Sequence, residues 1–229
     1  MRITAAEAIL KMIEKQGVSV VFGYPGATNA PIYDALHKTK LRAVLTRNEQ
    51  GAAHAASSYF KMTGSIGVCM ATSGPGATNL VTGIANAYMD SIPLVAVTGQ
   101  VACQMVGKDA FQEVDITGVT TPITKHNYLV KNADEIPKIM AEAFYIAGTG
   151  RPGPVVVDVP MDVQLQKINF RFPDRPNILG YSPQKPVDPA QVQLLASALK
   201  EAKRPLIVAG GGILCAGASC EFLRFLERL

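Results

Sequence analysis

Short β-branched, apolar runs alternate along this chain with longer stretches whose apolar residues recur at helical spacing. The runs at 18–22, 41–46, 67–71, 94–98, 126–130 and 154–159 read as buried strands. A first helix starts at the capping box of Thr4 and Glu7, carries the stripe Ala8, Ile9, Met12 and Ile13, and ends near Gly17. Further helices are predicted through Ile32, Tyr33, Ala35 and Leu36; from Glu49 to Lys61 with Gly64 as C-cap; up to about Met89; and from Asp134 to Ala147. Strands and helices in strict alternation predict an α/β fold, a six-stranded, mostly parallel sheet flanked by helices and joined by right-handed crossovers.

The rhythm breaks twice. Residues 99–121 show no period, and a connection that long is expected to be functional. Residues 164–187, with Pro173, Pro176, Pro183 and Pro186, read as a linker between a domain at 1–163 and the start of another at 188–229. Asp188 and Pro189 open a helix there, 206–209 a strand, Gly210-Gly211-Gly212 a turn, and 218–229 a helix. One β-α unit cannot bury both its faces, so the chain is expected to be an N-terminal piece of a longer protein.

Composition narrows the function. An apolar share of 48% against 17% charged suits a parallel sheet covered on both faces. The net charge of +4 comes without a Lys/Arg block, which argues against a nucleic-acid partner. No apolar run reaches the roughly 18 residues of a membrane span, and the start runs into a capping box rather than a leader, so a cytoplasmic protein is expected. Cys69, Cys103, Cys215 and Cys220 form no Cys-x-x-Cys pair, which speaks for reduced thiols and against zinc; no metal ligands are assigned.

The strongest candidate for chemistry is Glu49, on a turn between a strand and a helix, at the strand ends where open parallel sheets meet ligands. The competing reading is a carboxylate that offsets the positive end of its helix. Pro-Gly-Ala-Thr-Asn occurs at 25–29 and again at 75–79, each time between a strand and a helix. Such turns need Gly for geometry and Thr or Asn for caps, and they also present free backbone N–H groups to a ligand. Neither copy has the Lys of a P-loop. The Gly210 turn hints at dinucleotide binding, but Cys215 breaks the G-x-G-x-x-G pattern. His37, His54 and His126 are scattered, and Asp109, Glu113 and Asp115 read as loop charges.

With Glu49, the block Thr72-Ser73-Gly74-Pro75-Gly76-Ala77-Thr78-Asn79 resembles the thiamine-diphosphate-dependent enzymes, most closely the acetohydroxyacid (acetolactate) synthase catalytic subunits. Phe22-Gly23-Tyr24-Pro25-Gly26, Asp90-Ser91-Ile92-Pro93, Asp109-Ala110-Phe111-Gln112-Glu113-Val114-Asp115, Thr124-Lys125-His126-Asn127 and Gly150-Arg151-Pro152-Gly153-Pro154 extend the likeness over 1–163. The Ser-Gly-Pro-Gly block is shared by many thiamine enzymes, whereas Phe111-Gln112-Glu113 is more particular to the synthase.

The resemblance implies that 1–163 is a pyrimidine-binding domain and that Glu49 hydrogen-bonds N1′ of the aminopyrimidine, favouring the imino tautomer that takes the proton from thiazolium C2. It implies catalytic roles for Glu49 and Gln112, cofactor contacts from Tyr24, Pro25, Gly26, Ala27, Pro75, Gly76 and Asn79, and substrate contacts from Phe111, Gln112 and Ala27. The implied reaction decarboxylates pyruvate and joins the two-carbon enamine to a second 2-ketoacid. Mg2+ and FAD are implied for the full-length protein, as are a homodimer or higher homo-oligomer and a regulatory small subunit. Asn48 stands where the family has His, Ala27 where it has Gly, and Lys108 where Thr is common. No Gly-Asp-Gly occurs, so the 229 residues are expected to be inactive alone. The alternatives are another thiamine enzyme, such as a pyruvate oxidase or a 2-ketoacid decarboxylase, or a noncatalytic nucleotide-binding module.

Overall fold

In the computed structural model, which describes residues 1–183 and 186–229, Thr4 ends a short strand β1 (Arg2–Thr4) and caps helix α1 (Ala5–Lys15). Its hydroxyl accepts the Glu7 N–H at 3.2 Å, one half of the expected capping box. The Glu7 carboxylate turns instead to Lys38, at 2.5 Å.

The chain then alternates: β2 (Val20–Gly23), α2 (Ala30–Ala35), β3 (Arg42–Leu45), α3 (Glu49–Thr63), β4 (Gly67–Ala71), α4 (Pro75–Asn79), α5 (Val81–Met89) and β5 (Leu94–Gln100). After the irregular segment come α6 (Ile116–Thr120), β6 (His126–Leu129), α7 (Ile136–Gly148), β7 (Pro154–Pro160), α8 (Met161–Leu165) and β8 (Lys167–Asn169). Six strands form one parallel sheet in the order β3-β2-β4-β5-β7-β6. Helix α1 packs with α2 and α7, and α3 with α5, so the sheet is covered on both faces.

Small residues let α3 lie close to its neighbours. Ala52, Ala53 and Ala56 are buried with Cys69, Ala71, Leu80, Ile84 and Ala96. A Cβ on Gly83 of α5 would stand 2.4 Å from that of Ala53. At its far end α3 stops on Gly64, left-handed at φ 74°, as expected.

Three expectations are corrected. Residues 164–179 are not linker: the compact unit runs from Met1 to Leu179. The reason is apolar, since β8 pairs antiparallel with β1, Ile3 opposite Ile168, and buries Ile168 and Phe170. The irregular segment holds α6, which Asp115 caps by accepting the Gly118 N–H at 2.9 Å. Gln184 and Lys185, at the end of the expected linker, lie outside the described residues.

The third correction concerns the second unit, Gly180–Leu229. It has α9 (Pro189–Glu201), with Asp188 as N-cap and Pro189 in the first turn, then α10 (Gly212–Cys215) and α11 (Ser219–Leu226). Residues 206–209 are not a strand. A parallel strand needs a neighbour for its backbone groups, and none pairs with this run among the described residues.

Candidate active site

The strand order reverses at β2. From β2 the chain steps to β3 on one side, then returns through α3 to β4 on the other. Outside the carboxyl ends of such strands the connecting loops part and leave a crevice, the usual ligand site of open α/β sheets. The loops after β2, β3 and β4 are Tyr24–Asn29, Thr46–Asn48 and Thr72–Gly74. Both Pro-Gly-Ala-Thr-Asn copies and Glu49 therefore meet at this edge.

Glu49 is the first residue of α3, and Asn48 caps the helix by accepting the Gln50 N–H at 2.8 Å. Glu49 is only 8% exposed. Its Oε2 accepts a hydrogen bond from Asn79 Nδ2 at 2.9 Å. Its Oε1 lies on the other side, where a Cβ added to Gly76 would come within 3.2 Å.

The two identical pentapeptides do different work. In the second, Pro75 occupies the first turn of α4, and Asn79 at its end reaches Glu49. In the first, no α-helix starts until Ala30. Asn29 is fully buried and ties its own loop, accepting the Gly26 N–H at 2.7 Å and donating to the Tyr24 carbonyl at 3.2 Å. Thr28 then joins the loops: its hydroxyl bonds that of Thr72 at 2.9 Å and accepts the Ser73 N–H at 2.8 Å. Gly26 packs on Thr72 so tightly that a Cβ would fall 2.5 Å from the Thr72 Cβ. Tyr24, Pro25 and Ala27 are exposed along this edge.

The irregular segment reaches the same edge. Gln112 has a left-handed backbone at φ 58°, and a Cβ on Gly74 would lie 2.5 Å from its carbonyl oxygen. The loop is shaped from within by Glu113, whose carboxylate accepts N–H groups of Gly107, Lys108 and Ala110. Those bonds hold its pKa below the ordinary carboxylate value. Phe111 stands 87% exposed.

The sequence reading passed over several polar groups. Tyr33 Oη, Ser73 Oγ and Thr46 Oγ1 are buried with no hydrogen-bond partner. Burial, with Cys69 and Glu49 nearby, pushes the Tyr33 phenol up. Gln164 donates to the carbonyls of Thr28 and Val159, each at 2.7 Å. Asp158 is the clearest omission, because a charged residue inside Val155-Val156-Val157-Asp158-Val159 is itself a signal. His126 opens β6 and so stands at the opposite, amino-terminal edge. The Gly210 turn lacks the preceding strand that a dinucleotide site needs.

Residues 3–119, just over half of the chain, match the family model described as the thiamine pyrophosphate enzyme, N-terminal TPP binding domain. The chain belongs to the thiamine pyrophosphate enzymes. It is 52% identical over 229 residues to an acetolactate synthase of Mycobacterium bovis, covering 100% of this chain and 37% of the relative. It is 50% identical over 227 residues to an acetolactate synthase large subunit of Corynebacterium glutamicum, covering 99% and 36%. A probable acetolactate synthase large subunit of Methanocaldococcus jannaschii is 51% identical over 225 residues, covering 97% and 38%. This thiamine enzyme chain thus spans a little over a third of the length of the curated relatives it matches. No helix among its described residues is long and apolar enough to cross a membrane.

Proposed function

We propose that this chain forms the pyrimidine-binding part of a thiamine-diphosphate-dependent acetolactate synthase, with Glu49 as the proton-handling residue. The observation that carries the reading is the setting of Glu49. It is a nearly buried carboxylate at the reversal point of the sheet, with Oε2 taken by Asn79 and Oε1 beside a glycine. The residues fit a flat aminopyrimidine, since Gly26 and Gly76 let both loops close on Thr72 with bare backbone, beside Glu49 Oε1 in the case of Gly76, and Ser73 Oγ still lacks a partner.

Thiamine diphosphate, when bound, supplies the electron sink for decarboxylating a 2-ketoacid. Glu49 Oε1 holds a proton against the ring nitrogen, and Asn79 fixes which oxygen does so. Tyr24, Pro25, Gly26, Ala27, Pro75 and Gly76 form the walls. Gln112 and Phe111, on the segment that closes over Gly74, contact the substrate, which is pyruvate and then a second 2-ketoacid. The unit Met1–Leu179 is the pyrimidine domain.

Mg2+ and FAD are assigned to the whole enzyme rather than to this chain. Among the described residues no group of three or more His, Cys, Asp or Glu is placed to hold a metal. A homodimer or larger homo-oligomer with a regulatory small subunit completes the proposal; the large-subunit wording in the names of relatives supports the second partner.

The test is Glu49→Gln in the full-length enzyme. Conversion of pyruvate to acetolactate is expected to fall roughly 10²- to 10⁴-fold, the scale of a positioned acid-base group. Normal turnover in that variant would remove Glu49 from the chemistry. Acetaldehyde or peroxide as the product of the wild-type enzyme would replace the synthase with a decarboxylase or an oxidase.

A further inference from the structure

A second buried carboxylate lies on the same sheet, between the central strands and the segment that carries Phe111 and Gln112. Asp158 of β7 stands opposite Thr98 of β5 and is 1% exposed. Its Oδ1 accepts the Thr98 hydroxyl at 2.6 Å, and its Oδ2 accepts Gln100 Nε2 at 2.9 Å.

Gln100, the last residue of β5, is 3% exposed and uses its whole amide. Its Oε1 accepts the Val101 N–H at 2.9 Å, where the irregular segment begins. Its Nε2 donates to Asp158 and, at 2.9 Å, to the carbonyl of Val114, where the segment returns. One side chain thus holds both ends of residues 101–114.

Asp158 joins the Val101 N–H and the Val114 carbonyl in deciding which way round the amide sits. A flipped Gln100 would set its NH2 against the Val101 N–H and its oxygen against the Val114 carbonyl and the carboxylate. Two donors would then face each other, and two acceptor groups would face an acceptor. In a buried place each such mismatch leaves polar groups unpaired, so only the observed orientation closes the neck.

We propose that Gln100, oriented by Asp158, is a positioning residue whose amide closes the neck of residues 101–114 and thereby fixes Phe111 and Gln112 at the sheet edge. This rests on the reading of Phe111 and Gln112 as substrate-facing. Neither Gln100 nor Asp158 need touch substrate or cofactor. Without the neck, the same residues form a tether joined to the body chiefly by the Cys103 N–H on Asp162, at 3.0 Å, and by the close packing of Gln112 on Gly74.

The experiment pairs hydrogen exchange with steady-state kinetics in the full-length enzyme. Gln100→Met keeps the length and bulk of the side chain and removes all three bonds. Amide exchange in residues 101–115 is expected to rise at least tenfold while β4 and β7 keep their protection. KM for pyruvate is expected to rise about tenfold, with thiamine diphosphate affinity unchanged. Asp158→Asn, which keeps the shape and one acceptor, is expected to give the same pattern in weaker form, and it decides the matter if Gln100→Met does not fold.

Unchanged exchange in 101–115 would overturn the clamp. So would exchange that rises equally across the whole sheet, or cofactor affinity falling in step with KM, since these mark general loosening. Faster exchange in 101–115 with an unchanged KM would overturn the positioning role. If the wild-type enzyme neither binds thiamine diphosphate nor consumes pyruvate, the proposed function fails separately, and the exchange result still decides the clamp.

Discussion

Asn79 Nδ2 donates to Glu49 Oε2 at 2.9 Å, joining the end of α4 to the start of α3 across 30 residues of sequence. The bond commits one oxygen of the carboxylate, while the other lies beside Gly76. A hydrogen bond to a charged group is worth about 1.5–3 kcal/mol, or roughly 10- to 100-fold in rate. Asn79→Ala in the full-length enzyme is expected to lower kcat on that scale, with a smaller effect on thiamine diphosphate affinity measured by calorimetry. An unchanged kcat would show that the carboxylate needs no such partner.

The open side of Glu49 can be closed on purpose. In Gly76→Ala the new Cβ falls 2.7 Å from Thr72 Cγ2 and 3.2 Å from Glu49 Oε1. Thr72 has little freedom to yield, because its hydroxyl is bonded to Thr28. Overpacking of this kind costs about 1–3 kcal/mol, and here it also crowds the proposed ring site. Both the melting temperature and cofactor affinity are expected to fall. Gly51→Ala, at an exposed position of α3, is the control: nothing lies within 4 Å of its Cβ. It should gain up to about 1 kcal/mol by restricting the unfolded chain.

Ala27 stands exposed at the start of the turn that Asn29 ties down. Its methyl group projects at the edge where the second 2-ketoacid is proposed to arrive. Ala27→Gly is expected to widen acceptor choice by about 1–3 kcal/mol at most, the value of one methyl group in a pocket. The measurement is the product ratio from pyruvate competing with 2-ketobutyrate. A ratio that does not move would place Ala27 outside the acceptor site.

How far the sequence discloses this site depends on the kind of interaction involved. The parallel sheet and Glu49 at its edge are legible because periodicity and strand-end position are local properties. The partnership of Glu49 with Asn79 is not, since the two copies of Pro-Gly-Ala-Thr-Asn look alike and only tertiary structure gives Asn29 and Asn79 different partners. The β1–β8 pair escapes notice because its strands are three residues long and lie at opposite ends of the unit. Conversely, 206–209 has the composition of a strand but no neighbour among the described residues, and strand formation is a property of pairs. Asp158 was visible as a lone charge in an apolar run, but its meaning required Gln100 and Val114 to be seen beside it.

Asp158 also gives the protein a pH dependence whose sign is fixed. Burial raises its pKa from 3.8 to about 7, opposed by the hydrogen bonds from Thr98 and Gln100, with the Asp115 charge adding to the rise. Below 3.8 the carboxyl is protonated in both the folded and unfolded chains, and its contribution to stability is at its largest. Between 3.8 and about 7 the unfolded chain releases the proton while the folded one keeps it, so stability falls as pH rises. Over the whole window the loss is on the order of 4 kcal/mol, set by the difference between the two pKa values. Asp158→Asn cannot titrate, so its melting temperature, whatever its level, should lose this downward slope across the window. Chemical or thermal unfolding at a series of pH values reads the slope directly. Parallel curves for wild type and variant would mean that the buried carboxyl does not change its protonation on folding.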